Sequence, residues 1–177
     1  MPSSSKEGKQ EIFNWCKDLP DIKRILDIGV GKGTYYKLFC KNVDVFNTVE
    51  WVGIEAWQPY IEEFRLLKKY DTIINNDVRK VDFDNIGKFD IVFMGDVLEH
   101  ITKEEAIEIV HKLSSKTKYA VISIPIVHYP QDEVNNNPFE VHVKDDWSHD
   151  EVMASFPNIQ KTFQGKEIGC YFINFLM

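Results

Sequence analysis

From Arg24 an apolar run, Ile25-Leu26-Asp27-Ile28, leads into Gly29-Val30-Gly31-Lys32-Gly33-Thr34, an acid followed by three glycines at alternate positions. The run suits a buried parallel strand, and the glycines follow it without a linker. Glycine has no Cβ, so such a turn takes positive φ and lets a ligand reach bare backbone. Tyr35 to Cys40 can open a helix, whose free N–H groups attract an anion. Strand, glycine turn and helix together make a site for a nucleotide-type ligand. Three further acids follow apolar runs: Glu55 after Trp51-Val52-Gly53-Ile54, Asp77 after Ile73-Ile74-Asn75-Asn76, and Asp96 after Ile91-Val92-Phe93-Met94-Gly95. An acid ending the second strand can accept both hydroxyls of a ribose.

Spacing separates two cofactor classes. A dinucleotide fingerprint, G-x-G-x-x-G from Gly29, needs glycine at position 34, and Thr34 stands there, which disfavours an NAD-dependent oxidoreductase. The pattern D-x-G-x-G-x-G over Asp27, Gly29, Gly31 and Gly33 instead resembles motif I of the class I S-adenosylmethionine-dependent methyltransferases. The resemblance covers residues 22–125 well and the remainder loosely. It implies S-adenosylmethionine as cofactor, S-adenosylhomocysteine as product, and an α/β three-layer sandwich with a Rossmann-like, mostly parallel seven-stranded sheet. It identifies Glu55, followed by Ala56, with the ribose-binding acid of motif II, at a longer spacing because residues 41–49 are inserted. Asp77 is similar to the motif III acid that accepts from the adenine amino group, with Val78 against the ring. Phe89 to His100 resembles motif IV as found in enzymes acting on small molecules, which sets Asp96 near the ligand's ammonium group and Val97 and Leu98 on the channel floor. The N-P-P-F/Y tetrapeptide of amino-methylating DNA and protein enzymes is absent there. Asn137-Pro138-Phe139 falls after the fifth strand and cannot play that part.

The acceptor is expected against Ile126 to Trp147, a stretch without a clear element that carries His128, Tyr129, Phe139, His142 and Trp147. Asn137 to His142 and Trp147-Ser148 resemble a stretch of bacterial small-molecule and glycan methyltransferases. A general base is required only where the acceptor is protonated at neutral pH, as a hydroxyl is. His142 is the first candidate and His100 the second. Asp96, Glu99 and His100 raise the question of a metal, but a hard cation wants more carboxylates, so no metal is expected. The expected function is methyl transfer to a hydroxyl or amine of a small molecule or saccharide. The alternative is a module that binds the cofactor without turnover.

The elements that must position these groups alternate strand and helix, which means a parallel sheet with helices on both faces. Strands are expected at 22–28, 50–55, 71–75, 89–94 and 119–124. Helices are expected at 7–19, 34–39, 59–69 (with Ile61, Phe64 and Leu67 inward), 102–116 and 150–156. Thr102 and Glu105 make a capping box, and Ile107, Val110, His111 and Leu113 an apolar repeat. A closing hairpin, 162–166 and 170–175, is divided by Gly169. Residues 1–20 are read as an N-terminal helix and candidate cover, and 21–177 as one domain.

The 177 residues and their net charge of −7 disfavour a nucleic-acid acceptor, which usually needs concentrated Lys and Arg. No apolar run is long enough to span a membrane, and the start Met1-Pro2-Ser3-Ser4-Ser5-Lys6 lacks an apolar core for export. Cys16, Cys40 and Cys170 form no metal-type pair and read as reduced, buried thiols, consistent with the cytoplasm. Without a cap domain the acceptor site is shallow, to be completed by the first helix, the long loop or a second copy in a homodimer.

Overall fold

A computed structural model describes residues 5–176. Seven strands form one sheet in the order β3-β2-β1-β4-β5-β7-β6. They are β1 (Arg24–Ile28), β2 (Glu50–Ile54), β3 (Thr72–Ile74), β4 (Phe89–Gly95), β5 (Thr117–Pro125), β6 (Ile159–Gln164) and β7 (Ile168–Asn174). The first five run parallel, while β7 pairs antiparallel with both β5 and β6. The helices are α1 (Lys9–Cys16), α2 (Thr34–Cys40), α3 (Gln58–Glu63), α4 (Lys103–Ser114) and α5 (His149–Ser155).

Two apolar cores flank the sheet, which makes three layers. Leu26 and Ile28 of β1 join Ala106, Ile109, Val110 and Leu113 of α4 and Val152 of α5. Ile25, on the opposite face, joins Ile12 and Cys16 of α1, Tyr35 and Phe39 of α2 and Ile61 of α3. This alternation along a strand buried on both sides produces the continuous apolar runs of β1 and β4. The Thr102–Glu105 capping box is present at the start of α4.

Local departures from the sequence reading have local causes. The helix expected at 59–69 stops at Glu63, where Arg65 turns left-handed at φ 52° and a short 3₁₀ turn follows over Leu66–Lys68. That turn rotates Leu66 into the core and leaves Leu67 72% exposed. In α4 the inward stripe is Ala106, Ile109, Val110 and Leu113, with Ile107 and His111 outside it. The hairpin turns at Gly165 to Glu167, between β6 and β7, rather than at Gly169. Gly169 lies within β7, paired with Ile124 and Gln164, and a Cβ there would sit 2.5 Å from Tyr171 Oη and 2.8 Å from Ile126 Cγ2.

The first helix is docked rather than free. Ile12 and Cys16 are wholly buried, and the Glu7 carboxylate accepts the backbone N–H groups of Lys166, Glu167 and Ile168 at 2.6, 2.9 and 2.8 Å. Those amides hold the Glu7 carboxyl below the usual carboxylate range.

Candidate active site

The connections after β1 and β4 leave in opposite directions, and α/β sheets bind ligands in the crevice that opens there. A cavity of about 290 Å³ occupies this position, walled by the loops that leave β1, β2, β3, β4 and β5. The glycine turn forms one wall. Gly29 sits at φ 67°, and a Cβ on it would lie 2.4 Å from Val97 Cγ2, so its bare backbone lets the two loops close on each other. Gly31, at φ 48°, differs: a Cβ there meets nothing nearer than the Gly29 carbonyl oxygen at 4.0 Å. It lines the cavity and leaves a cradle beside the backbone. Gly33, left-handed at φ 72°, starts α2 and lies outside the lining.

Asp27, expected among the cofactor-binding residues, is also outside the lining. It is wholly buried on the α1–α3 face and accepts the Tyr70 hydroxyl at 2.5 Å. Burial raises its carboxyl to about 7, against the pull of that hydrogen bond.

Glu55 continues from β2 and spans the wall. Oε2 accepts the Gly31 N–H at 2.9 Å and Oε1 accepts the Trp57 N–H at 2.9 Å. Burial raises its carboxyl while these two amides lower it. Each oxygen keeps a second lone pair, and the carboxylate lines the cavity, so it can still receive two hydroxyls. Ala56 lies beside it in the lining. Across the cavity Asp77 is held by Arg79: the guanidinium meets both carboxylate oxygens at 2.5–2.9 Å and the Arg79 N–H adds a bond at 3.0 Å. Burial opposes the charge, but Arg79 wins and holds the Asp77 carboxyl below its ordinary value. Val78 is nearly buried and presents an apolar surface to the cavity.

Asp96 follows β4 with φ 56°, a left-handed backbone that Asp tolerates better than most residues. Its Oδ1 accepts the Ser123 hydroxyl at 3.1 Å, while Oδ2 makes no hydrogen bond among the described residues. Sequence reasoning missed the neighbour of this oxygen. Lys9, buried in α1, places Nζ 3.8 Å from Asp96 Oδ2 and donates to Tyr35 Oη at 3.1 Å and Ser123 Oγ at 3.0 Å. Burial alone would lower the Lys9 ammonium, but the Tyr35 oxygen and the Asp96 carboxylate raise it above the ordinary lysine value. Burial keeps Tyr35 itself neutral, so Asp96 is the compensating charge.

The two candidate bases stand together. The His100 and His142 ring centroids are 4.8 Å apart at 70°. His100 Nδ1 lies 3.1 Å from the Val141 carbonyl and His142 Nδ1 lies 2.5 Å from the Tyr129 carbonyl. A carbonyl only accepts, so each Nδ1 carries the proton and each Nε2 keeps a lone pair. Burial lowers both imidazoles below the ordinary histidine value and keeps them neutral near pH 7. Glu99, wholly buried beside them, leaves Oε2 without a hydrogen bond among the described residues. An unpaired buried acceptor of this kind destabilises a fold by about 1–3 kcal/mol. Burial, and then the nearby Asp96 carboxylate, push the Glu99 carboxyl well above its ordinary value. The expectation of no metal weighed Asp96, Glu99 and His100; the fold instead groups Glu99 and His100 with His142, without Asp96.

The long loop is laced down over this floor. Val143 and Lys144 donate their N–H groups to the Glu99 carbonyl at 2.8 and 3.0 Å. Gln131 Nε2 donates to the Glu140 carbonyl at 2.6 Å, and the Tyr60 hydroxyl donates to Glu140 Oε1 at 3.1 Å. Tyr129, Phe139 and His142 reach the cavity, whereas Trp147 packs in the core and His128 stays outside. Tyr60, Gln131 and Glu140 escaped sequence reasoning, since no spacing links residue 60 to 131 or 140.

Among the described residues, no helix is long and apolar enough to cross a membrane. A search of curated protein sequences finds no match. Solved structures share the fold at low identity. The N-terminal domain of EvdMO1 with S-adenosylhomocysteine bound is 14% identical, with a TM-score of 0.67 over 96% of this chain and 80% of that one. An S-adenosylmethionine-dependent methyltransferase from Clostridium acetobutylicum ATCC 824 is 13% identical, with a TM-score of 0.67 over 93% and 89%. Magnesium protoporphyrin IX methyltransferase from Synechocystis PCC 6803 with S-adenosylmethionine bound is 15% identical, with a TM-score of 0.61 over 92% and 76%. The model of the methyltransferase domain matches residues 26–122, from β1 through β5. That match spans more than half the chain and contains the glycine turn, Glu55, Asp77 and Asp96, so the chain belongs to the S-adenosylmethionine-dependent methyltransferase family.

Proposed function

We propose that the protein methylates a hydroxyl or amine of a small molecule or saccharide, and that the residues around the cavity divide cofactor from acceptor. The observation that carries this reading is the brace between Glu55 and Gly31, with an open cradle on one side and unused lone pairs on the other. Glu55 receives the ribose hydroxyls, and Gly29 and Gly31 give the backbone close approach. Asp77 and Val78 hold the adenine, and Asp96 meets the ammonium of the methionine tail. S-adenosylmethionine supplies the methyl group on a sulfonium whose positive charge disperses during transfer.

Little electrostatic stabilisation is then required of the protein, and orientation with exclusion of water contributes most. The loop 126–147 supplies the acceptor wall, where Tyr129 and Phe139 offer aromatic faces and Glu140 and Gln131 offer polar contacts. For a hydroxyl acceptor, the free Nε2 of His142 or His100 takes the proton while Nδ1 stays fixed on its carbonyl. The N-terminal segment acts as a cover: Ser5 lines the cavity, and α1 is anchored by Glu7 and Lys9. The N-terminal domain of EvdMO1, which shares this fold, was crystallised in the presence of S-adenosylhomocysteine and D-fucose, which supports testing sugars first.

The experiment is to incubate the protein with S-adenosylmethionine and panels of sugars, hydroxylated metabolites and amines, reading S-adenosylhomocysteine by mass spectrometry. Turnover stimulated by one panel supports the reading. Cofactor binding with no stimulation by any panel supports a module that binds without turnover.

A further inference from the structure

At the acceptor side of the cavity, one donor atom from each of Glu99, His100 and His142 lies within 4.8 Å of the other two. Residues 99 and 100 follow β4, while residue 142 comes from the long loop, so the cluster exists only in the folded chain. Its geometry goes beyond proximity. Both imidazoles are fixed by a backbone carbonyl at Nδ1, the arrangement that sets tautomer and ring orientation in metal-ligating histidines. Glu99 is 2% exposed, and its Oε2 has no hydrogen-bond donor among the described residues. A cation in the cluster would thus meet a buried carboxylate that is short of partners.

We propose that Glu99, His100 and His142 form a binding site for a divalent first-row transition cation on the floor of the acceptor pocket.

Two imidazoles and one carboxylate suit Zn²⁺, Mn²⁺, Fe²⁺ or Co²⁺, whereas Mg²⁺ and Ca²⁺ prefer sites built from oxygen. The charges around the cluster are mixed: the Asp96 and Glu140 carboxylates act against the charge of Glu99 and the Lys9 ammonium acts for it, while Lys9 is also engaged with Asp96, Tyr35 and Ser123. Three protein ligands leave coordination positions open, and all three residues line the cavity, so an oxygen of the acceptor can complete the set. That last role rests on the methyl-transfer reading; the cation site itself does not. With the ion bound both Nε2 lone pairs are taken, so the ion orients an acceptor hydroxyl, and the histidine-base role given above belongs to the metal-free site alone.

The test uses the full chain, with Co²⁺ as the probe, read by visible absorption and by calorimetry. Wild type is expected to bind one Co²⁺ with the absorption of nitrogen-and-oxygen ligation. Glu99→Gln keeps the size and shape of the side chain while removing the carboxylate, and His142→Asn changes a half-exposed position. Each is expected to weaken Co²⁺ by at least about 100-fold, beyond the effect of losing a group that only hydrogen-bonds to a ligand. No Co²⁺ uptake by wild type overturns the proposal, as does uptake that both substitutions leave unchanged. Calorimetry with S-adenosylhomocysteine on the same samples separates the two readings. Cofactor binding without Co²⁺ uptake removes only the cation site, and Co²⁺ uptake without cofactor binding removes only the methyl-transfer reading.

Discussion

Alanine at Gly31 and alanine at Gly29 are expected to separate binding from folding, although the two positions stand two residues apart. Both glycines hold left-handed backbone, φ 48° and φ 67°. An L side chain in that region is disfavoured by about 1–2 kcal/mol. At Gly31 this strain is the whole penalty, because the new Cβ meets no atom nearer than 4.0 Å. For a domain of this size it lowers Tm by roughly 2–8 °C. At Gly29 the Cβ lands 2.4 Å from Val97 Cγ2. Overpacking then adds about 1–3 kcal/mol, for a total of about 2–5 kcal/mol. The order reverses for the cofactor. The Gly31→Ala methyl projects into the cradle and is expected to weaken S-adenosylhomocysteine by at least about tenfold, or 1.4 kcal/mol. Thermal melts and calorimetric titrations of both variants measure the two effects. The reasoning fails if Gly31→Ala binds like wild type, or if Gly29→Ala melts no lower than Gly31→Ala.

Other expectations follow from individual contacts. Glu55→Gln replaces one acceptor by a donor facing an amide and removes the charge; the loss of about 1.5–3 kcal/mol per charged hydrogen bond predicts S-adenosylhomocysteine affinity down by roughly 10- to 150-fold, measured by calorimetry. Lys9→Met leaves the Asp96 charge without its cation and is expected to destabilise the fold by about 3 kcal/mol in denaturant titrations, with a change under 1 kcal/mol arguing against the buried pair. Asp27, raised to about 7, binds its proton more tightly folded than unfolded. Stability from this group therefore falls as pH rises from about 4 to 7, by at most about 1.4 kcal/mol per pH unit. Asp27→Asn removes that slope, so wild type should lose ground to it across this window, and parallel pH profiles would refute the assignment. Glu7→Gln weakens the anchor of α1 on the β6–β7 turn and is expected to lower both Tm and cofactor affinity; lowered Tm with unchanged affinity would exclude the cover role.

The parts of the site that were legible in the sequence are those punctuated at strand ends. The three glycines, Glu55, Asp77 and Asp96 each follow an apolar run, so the run locates the sheet and the polar residue locates its edge. Lys9 was illegible because a lysine in an amphipathic helix reads as solvated. Only the docking of α1 brings it to Ser123, 114 positions away in sequence. His100 and His142 were each visible as candidates, but their contact depends on the path of a loop without periodicity. The kink at Arg65 and the hairpin turn at Gly165 were missed for a related reason. Several residues in each stretch could end the element, and packing of Leu66 and Tyr171 decides among them. Asp27 stands at the expected position, but its bond to Tyr70 and its place outside the cavity lining depend on packing that the motif does not encode.

The assignment of Glu55 to the cofactor ribose is decided by a crystal structure of the protein with S-adenosylhomocysteine. That assignment predicts ribose hydroxyls on the Glu55 carboxylate, adenine against Val78 within reach of Asp77, and sulfur facing His100 and His142. Density for the compound at another surface, with the Glu55 carboxylate untouched, would contradict it.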